Sequence, residues 1–360
     1  MSGSRTPKLR VLLTNDDGPP GHESPYIFGL YKHLTQDLGW DVKVVIPSSQ
    51  KSWIGKAYQI KDIINGRFYY PKDPDGAGEL SETSRPLKDG EVAEWILLDG
   101  TPATCANIAL HNLFPGQIDL LISGPSHGRN SSAAFALSSG TIGAALSSSL
   151  SKMRSIALSY GTVVRPTPRT YFEPAHELSL RIICHLWDNW GADEGGIRNG
   201  EVDLYNVNIP MVEGLLSDEG LRICWTRMWR NSYGRLFAPH VVSLVQANGS
   251  GKALVDGTSP AGPDALDTAA RGVRTTPLDS EDGDADPDPP APALTFKFAP
   301  DIGGLINPTL SNVPVGSDGW AIAKGFVSVT PMRACFAEPV HEALMSVSDD
   351  WDQFMWKFKL

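Results

Sequence analysis

Two adjacent aspartates, Asp16 and Asp17, close the first apolar run of the chain, in Leu12-Leu13-Thr14-Asn15-Asp16-Asp17-Gly18. Ionised carboxylates only accept hydrogen bonds, and side by side they repel unless something positive offsets them. At a strand end a divalent metal or a substrate cation fills that role; a solvated Asp-Asp-Gly turn is the alternative. Three further polar stretches are Ser48-Ser49-Gln50-Lys51-Ser52-Trp53-Ile54-Gly55, Gly100-Thr101-Pro102-Ala103, and Ser123-Gly124-Pro125-Ser126-His127-Gly128-Arg129-Asn130 running on to Ser138-Ser139-Gly140-Thr141. Carboxylates, hydroxyls, an amide and exposed glycine N–H groups suit a hard cation, magnesium or manganese, together with a phosphate. Ser139, Gly140 and Thr141 at a helix start offer donors to an anion; a plain N-cap is the other reading. Lys51 and Arg129 are candidates to neutralise a phosphate. His127 is a candidate general acid or base. The chain has no Gly-x-Ser-x-Gly elbow, Walker A loop or His-Glu-x-x-His motif, and no Gly-x-Gly-x-x-Gly after its first strand.

These residues need a scaffold that brings them to one edge. Residues 9–14 read as a buried strand, 24–38 as a helix closed by Gly39, and 41–47 as a second strand: a βαβ unit. Strands over 94–98, 118–123 and 155–159 alternate with helices over 103–113 and about 140–152, with a Gly-rich loop after residue 123. Residues 171–190 read as a long amphipathic helix and 202–209 as a further strand. The fold class is therefore α/β, a doubly wound, mainly parallel, Rossmann-like sheet. In such sheets ligands sit outside the carboxyl ends of the strands, where the four polar stretches fall.

The expected organisation is an α/β core over 1–210, a hairpin or oligomerisation arm over 211–255, an acidic Pro/Gly-rich mobile insertion over 256–292, and a strand–helix segment over 293–360. The last ends in an aromatic-rich helix. The net charge of −10 is concentrated: residues 256–292 carry nine acidic and two basic side chains, against 32 and 29 elsewhere. The body is thus near neutral, which excludes a basic nucleic-acid groove. No run approaches the ~18 apolar residues of a membrane span. The polar start lacks a signal-peptide apolar region, so a cytoplasmic protein is expected. Cys105, Cys184, Cys224 and Cys335 are scattered without a Cys-x-x-Cys pair, consistent with free thiols.

At these motifs the chain resembles the SurE family of survival proteins. The resemblance rests on Leu13–Gly18, on Ile46-Pro47 through Ser52, on Asp99-Gly100-Thr101-Pro102-Ala103-Thr104-Cys105, and on Ile118–Gly124 with Ser139-Gly140-Thr141. Tyr205-Asn206-Val207-Asn208-Ile209-Pro210 and Gly325-Phe326-Val327-Ser328-Val329-Thr330-Pro331 extend it. The Lys51–Ala57 and Arg129–Ala134 stretches look like the fungal branch. The resemblance implies a metal-dependent phosphatase acting on nucleoside monophosphates and related esters. It implies Asp16, Asp17 and Ser52 as metal ligands and a homodimer or homotetramer built through an extended hairpin and a C-terminal helix. The family's Ser-Gly-x-Asn loop carries a ligating asparagine, and here that place is Ser126; Asn130 is a substitute only if the loop reshapes.

The leading expectation is a phosphomonoesterase in which a divalent ion on Asp16, Asp17, Ser52 and Ser126 activates water, while Asn15, Asn130 and Ser139–Thr141 hold the phosphate. Two alternatives stay open. The first is a metal-independent hydrolytic or lyase-like reaction with Asp16 or Asp17 as general acid or base, motivated by Ser126. The second is a non-catalytic binding module.

Overall fold

The computed structural model describes residues 8–163, 166–239, 294–301 and 303–337. Twelve strands are present among them: β1 Arg10–Thr14, β2 Asp41–Pro47, β3 Gly66–Pro71, β4 Gly78–Ser81, β5 Trp95–Leu98, β6 Leu120–His127, β7 Arg154–Thr162, β8 Leu204–Met211, β9 Ile223–Trp225, β10 Phe237–Pro239, β11 Phe296–Phe298 and β12 Val327–Met332. The helices are α1 Ile27–Lys32, which widens into a π turn over His33–Asp37, then α2 Pro102–Ile108, α3 Ser132–Ser138, α4 Gly140–Leu150, α5 Phe172–Asp188, α6 Gly303–Ile306 and α7 Asp318–Ala323. Ten strands form one sheet in the order β4-β3-β5-β2-β1-β6-β7-β8-β12-β9. From β5 to β8 the neighbours are parallel. Antiparallel β3 and β4 close one side, and β12 runs antiparallel to β8 on the other.

The period-2 alternation of a strand divides the core between the two faces. On β1, Val11 and Leu13 join the cluster with Ile27, Leu30 and Ile183 of α1 and α5. Leu12 joins the opposite cluster with Ala106 of α2 and Ile142 and Ala145 of α4. All three side chains are fully buried, so truncating Leu12 or Leu13 to Ala is expected to cost about 2–5 kcal/mol. Helix α2 starts where Thr101 accepts from the Thr104 N–H, with Pro102 in its first turn.

The mainly parallel α/β sheet matches the sequence reading, and three segments depart from it. The strand expected over 118–123 continues to His127, so Gly124–His127 is strand rather than loop. Gly124 has φ +126, a Cβ there would meet the Leu158 carbonyl oxygen at 2.0 Å, and the Gly124–Pro125 peptide is cis. The β6–β7 register shifts across this point and then resumes with Ser126 opposite Ser159. Residues 66–81, between the second strand and the strand expected over 94–98, form β3 and β4, laced by Lys72–Glu79 and Arg85–Glu79 ion pairs. Helix α3 lies inside the expected Gly/Ser-rich stretch.

Of residues 211–255, β9 pairs with β12 at the sheet edge and β10 pairs with β11 in a separate two-stranded ribbon. The expected 256–292 insertion and C-terminal helix lie outside the described residues. No single described helix is long and apolar enough to cross a membrane. All four cysteines are free thiols.

Candidate active site

Asp16 and Asp17 follow β1 after Asn15, and both are almost fully buried, at 4% and 5% exposure. Their carboxylates have different partners. Asp16 turns to α4, where Thr141 Oγ1 donates to Asp16 Oδ1 at 2.7 Å. Asp17 turns to the α1/α5 side, where its Oδ2 accepts from the His127 N–H at 2.8 Å. Asp17 and His127 also line a cleft of about 1190 Å³.

Helix α4 is shaped to receive Asp16. A Cβ on Gly140 would lie 2.8 Å from Asp16 Cβ and 3.1 Å from its Oδ2, so only glycine lets the helix start approach this closely. Burial pushes the Asp16 carboxyl above the usual carboxylate range; the Thr141 hydroxyl and the Gly140 and Thr141 amides act in the opposite direction. The group received at the start of α4 is therefore the Asp16 carboxyl itself. Ser139 is the N-cap, its hydroxyl accepting from the Ile142 N–H.

The two serines expected on a metal both lie beside residues tied to the aspartates. The Lys51 N–H donates to the Asp16 carbonyl at 2.7 Å, and Ser52 is the next residue. Ser126 immediately precedes His127. Asn15 is fully buried: its amide nitrogen donates to the Gly18 carbonyl and to Ser24 Oγ, and its Oδ1 accepts from the Gly18 N–H. Asn15 thus ties the Asp-Asp-Gly turn together from within. Asn130 lies over the sheet. Its N–H donates to Asn208 Oδ1, its side-chain amide donates to Ser159 Oγ, and its carbonyl accepts from Asn206 Nδ2. The His127 ring stands edge-on to Tyr26 at 5.5 Å.

The structure therefore assembles Asp16, Asp17, Gly140 and Thr141 with the backbone of Lys51 and His127, and sets Asn130 among β7 and β8. Among the described residues no three His, Cys, Asp or Glu side chains converge as a metal centre. A cation here would rest on two carboxylates supplemented by hydroxyl, carbonyl or water oxygen. That donor set fits magnesium or manganese rather than a thiolate- or imidazole-bound metal. The burial that raises Asp16 beside a second carboxylate is an environment that a divalent cation relieves.

Two supporting groups had little sequence signal. Asp318, fully buried, accepts from the Ser132, Trp229 and Gly319 N–H groups and so anchors the start of α3 from 186 positions away. Its local sign was only that Ser317 caps α7. Trp53, next to Ser52, is boxed edge-on by Phe135, Tyr233 and Phe298 at 5.3–6.2 Å. That box joins the 51–55 loop to α3 and to the β10–β11 ribbon.

Residues 11–235 match the family described as survival protein SurE. The chain belongs to the SurE family. A Saccharomyces cerevisiae SurE relative, named probable tubulin–tyrosine ligase PBY1, is 36% identical over 255 residues, covering 65% of this chain and 32% of its own length. The 5'-nucleotidase SurE of Campylobacter hominis is 28% identical over 204 residues, 56% of this chain and 66% of that protein. The chain thus spans about a third of the yeast relative and just under two thirds of the bacterial one. The crystal structure of the SurE protein from Aquifex aeolicus superposes with a TM-score of 0.54 at 20% identity, over 94% of this chain and 98% of that one. The likeness to the Aquifex protein concerns the fold.

Proposed function

We propose that this SurE-family chain is a phosphomonoester hydrolase acting on nucleoside monophosphates or related small phosphate esters with a divalent cation. The observation that carries the reading is the buried Asp16–Asp17 pair, locked to α4 on one side and opening into the cleft on the other. The 5'-nucleotidase names of bacterial relatives support the substrate class. The ligase name belongs to a relative of which this chain matches a third.

Asp16 and Asp17 would hold the cation, with Ser52 and Ser126 beside them. When bound, a divalent ion polarises a phosphoryl oxygen and makes water a stronger nucleophile at neutral pH. The protein's own groups do the positioning. Thr141 fixes the rotamer of Asp16. The His127 N–H fixes one oxygen of Asp17. Asn15 holds the turn so that neither carboxylate rotates away. The His127 ring, on the cleft wall, is placed to give a proton to a departing alcohol. A homodimer or homotetramer in the cytoplasm completes the proposal.

The test is hydrolysis of p-nitrophenyl phosphate and of nucleoside monophosphates after EDTA treatment, with manganese or magnesium added back. Loss and restoration are expected. A second reading, metal-independent acid–base chemistry by the Asp pair, is motivated by Ser126, which the resemblance sets at the place of the family's ligating asparagine. Turnover of a non-phosphate substrate unaffected by EDTA would establish it in place of the first.

A further inference from the structure

The cleft that Asp17 and His127 share is far larger than a phosphate requires. At about 1190 Å³ it exceeds the ~300–1,000 Å³ usual for small-ligand pockets. Its remaining space must therefore be for the alcohol half of the substrate. Its floor is apolar: Tyr26 and Phe28 are buried there. Its charge is one-sided. The described lining residues include six carboxylates but only two Lys or Arg side chains.

Internal pairing sharpens the imbalance. Lys32 is taken by Asp73 at 2.8 Å. Asp37 and Glu173 close on the two ring nitrogens of His33, at 2.6 and 3.0 Å. Three exposed carboxylates are left with no ion-pair partner among the described residues: Glu23 on the loop before α1, Asp75 on the β3–β4 turn and Glu177 on α5. Against them stands Arg169. Three separate segments thus each contribute to the lining of one cavity a carboxylate that no cation pairs among the described residues. A surface arranged this way repels anionic groups and concentrates cationic ones, by an amount that salt reduces.

We infer that this cleft is the leaving-group subsite and that it selects phosphomonoesters whose alcohol half is extended and positively charged, discriminating against polyanionic ones. The inference rests on the phosphatase reading and adds the charge of the preferred substrate.

A matched pair of substrates tests it: phosphotyrosine flanked by lysines and phosphotyrosine flanked by glutamates, which share one phenol leaving group. Both are assayed with manganese at pH 8, above the ordinary imidazole range, with p-nitrophenyl phosphate as the neutral reference. The expected kcat/KM ratio favours the lysine-flanked peptide by about tenfold at low salt and shrinks at high salt. The double variant Glu23→Gln/Glu177→Gln is expected to bring the ratio towards one. Turnover of p-nitrophenyl phosphate with a ratio at or below one, or with a ratio indifferent to salt, overturns the inference and leaves the phosphatase reading standing. No turnover of these three esters or of a nucleoside monophosphate overturns both.

Discussion

The Thr141 hydroxyl bonds the Asp16 carboxylate at 2.7 Å across 125 residues of sequence, pinning the first turn of α4 to the end of β1. Because both groups are buried, the contact is worth more than a surface hydrogen bond. Thr141→Val should leave a buried acceptor short of its donor and cost about 1–3 kcal/mol. Urea denaturation should show that loss, with Thr141→Ser near wild type. Phosphatase kcat should fall with it, since the rotamer of Asp16 is released.

Gly140→Ala tests the same junction from the helix side. In an open helix the change would stabilise by about 1 kcal/mol. Here the new Cβ lands 2.8 Å from Asp16 Cβ and 3.1 Å from Ile54 Cγ2. Overpacking should win, with a net loss of about 1–3 kcal/mol. A calorimetric titration with manganese should also show weaker binding; an unchanged affinity would separate Asp16 from the cation.

Ser126→Asn restores the longer amide donor expected at this place. Manganese affinity or phosphatase activity should rise. If neither changes, this position does not face the cation, and the acid–base reading gains.

His176 gives the protein an acid liability. The ring is buried, hydrogen-bonded to Tyr160 at 2.9 Å, and packed on Gly29; burial lowers its pKa from 6.5 to about 3. Below about pH 6.5 the unfolded chain binds a proton that the fold refuses, so stability falls as pH drops towards 3 and is unaffected by this group above 6.5. Denaturation midpoints between pH 7.5 and 4 should decline less steeply in His176→Gln than in the wild type.

Asp318→Ala strands three backbone amides at once. At about 1–3 kcal/mol for each unsatisfied buried group, thermal unfolding should show a larger loss than for Thr141→Val, and Asp318→Asn a smaller one.

Much of this architecture could be read from the chain itself, where the cause was local. The apolar runs of β1 and β2 and the turn chemistry at Gly39 and Thr101-Pro102 marked the parallel core. The Asp pair and the Ser139–Thr141 helix start were visible as polar groups at strand ends. What stayed hidden was set by distant partners. Gly124-Pro125 reads as a strand breaker, yet β7 carries the pairing past it to His127. Helix α3 starts at Ser132, with φ +74, because Asp318 accepts from the Ser132 N–H, Asn231 Oδ1 accepts from the Ala134 N–H and Asn231 Nδ2 donates to the Ser132 hydroxyl, and no neighbouring residue announces that. Asn130 looks like a loop ligand in sequence; only the fold reveals that its donors and carbonyl are directed to β7 and β8.

The pairing of β10 with β11 brings Pro239 beside Phe296 and stacks Phe237 edge-on against Phe298 at 5.5 Å. Whatever chain joins them departs and returns at one point. Closing such a loop costs only about 0.6 kcal/mol more for each doubling of its length. A chain of any length between Pro239 and Phe296 thus starts and finishes beside the box around Trp53, held there by the β10–β11 pairing.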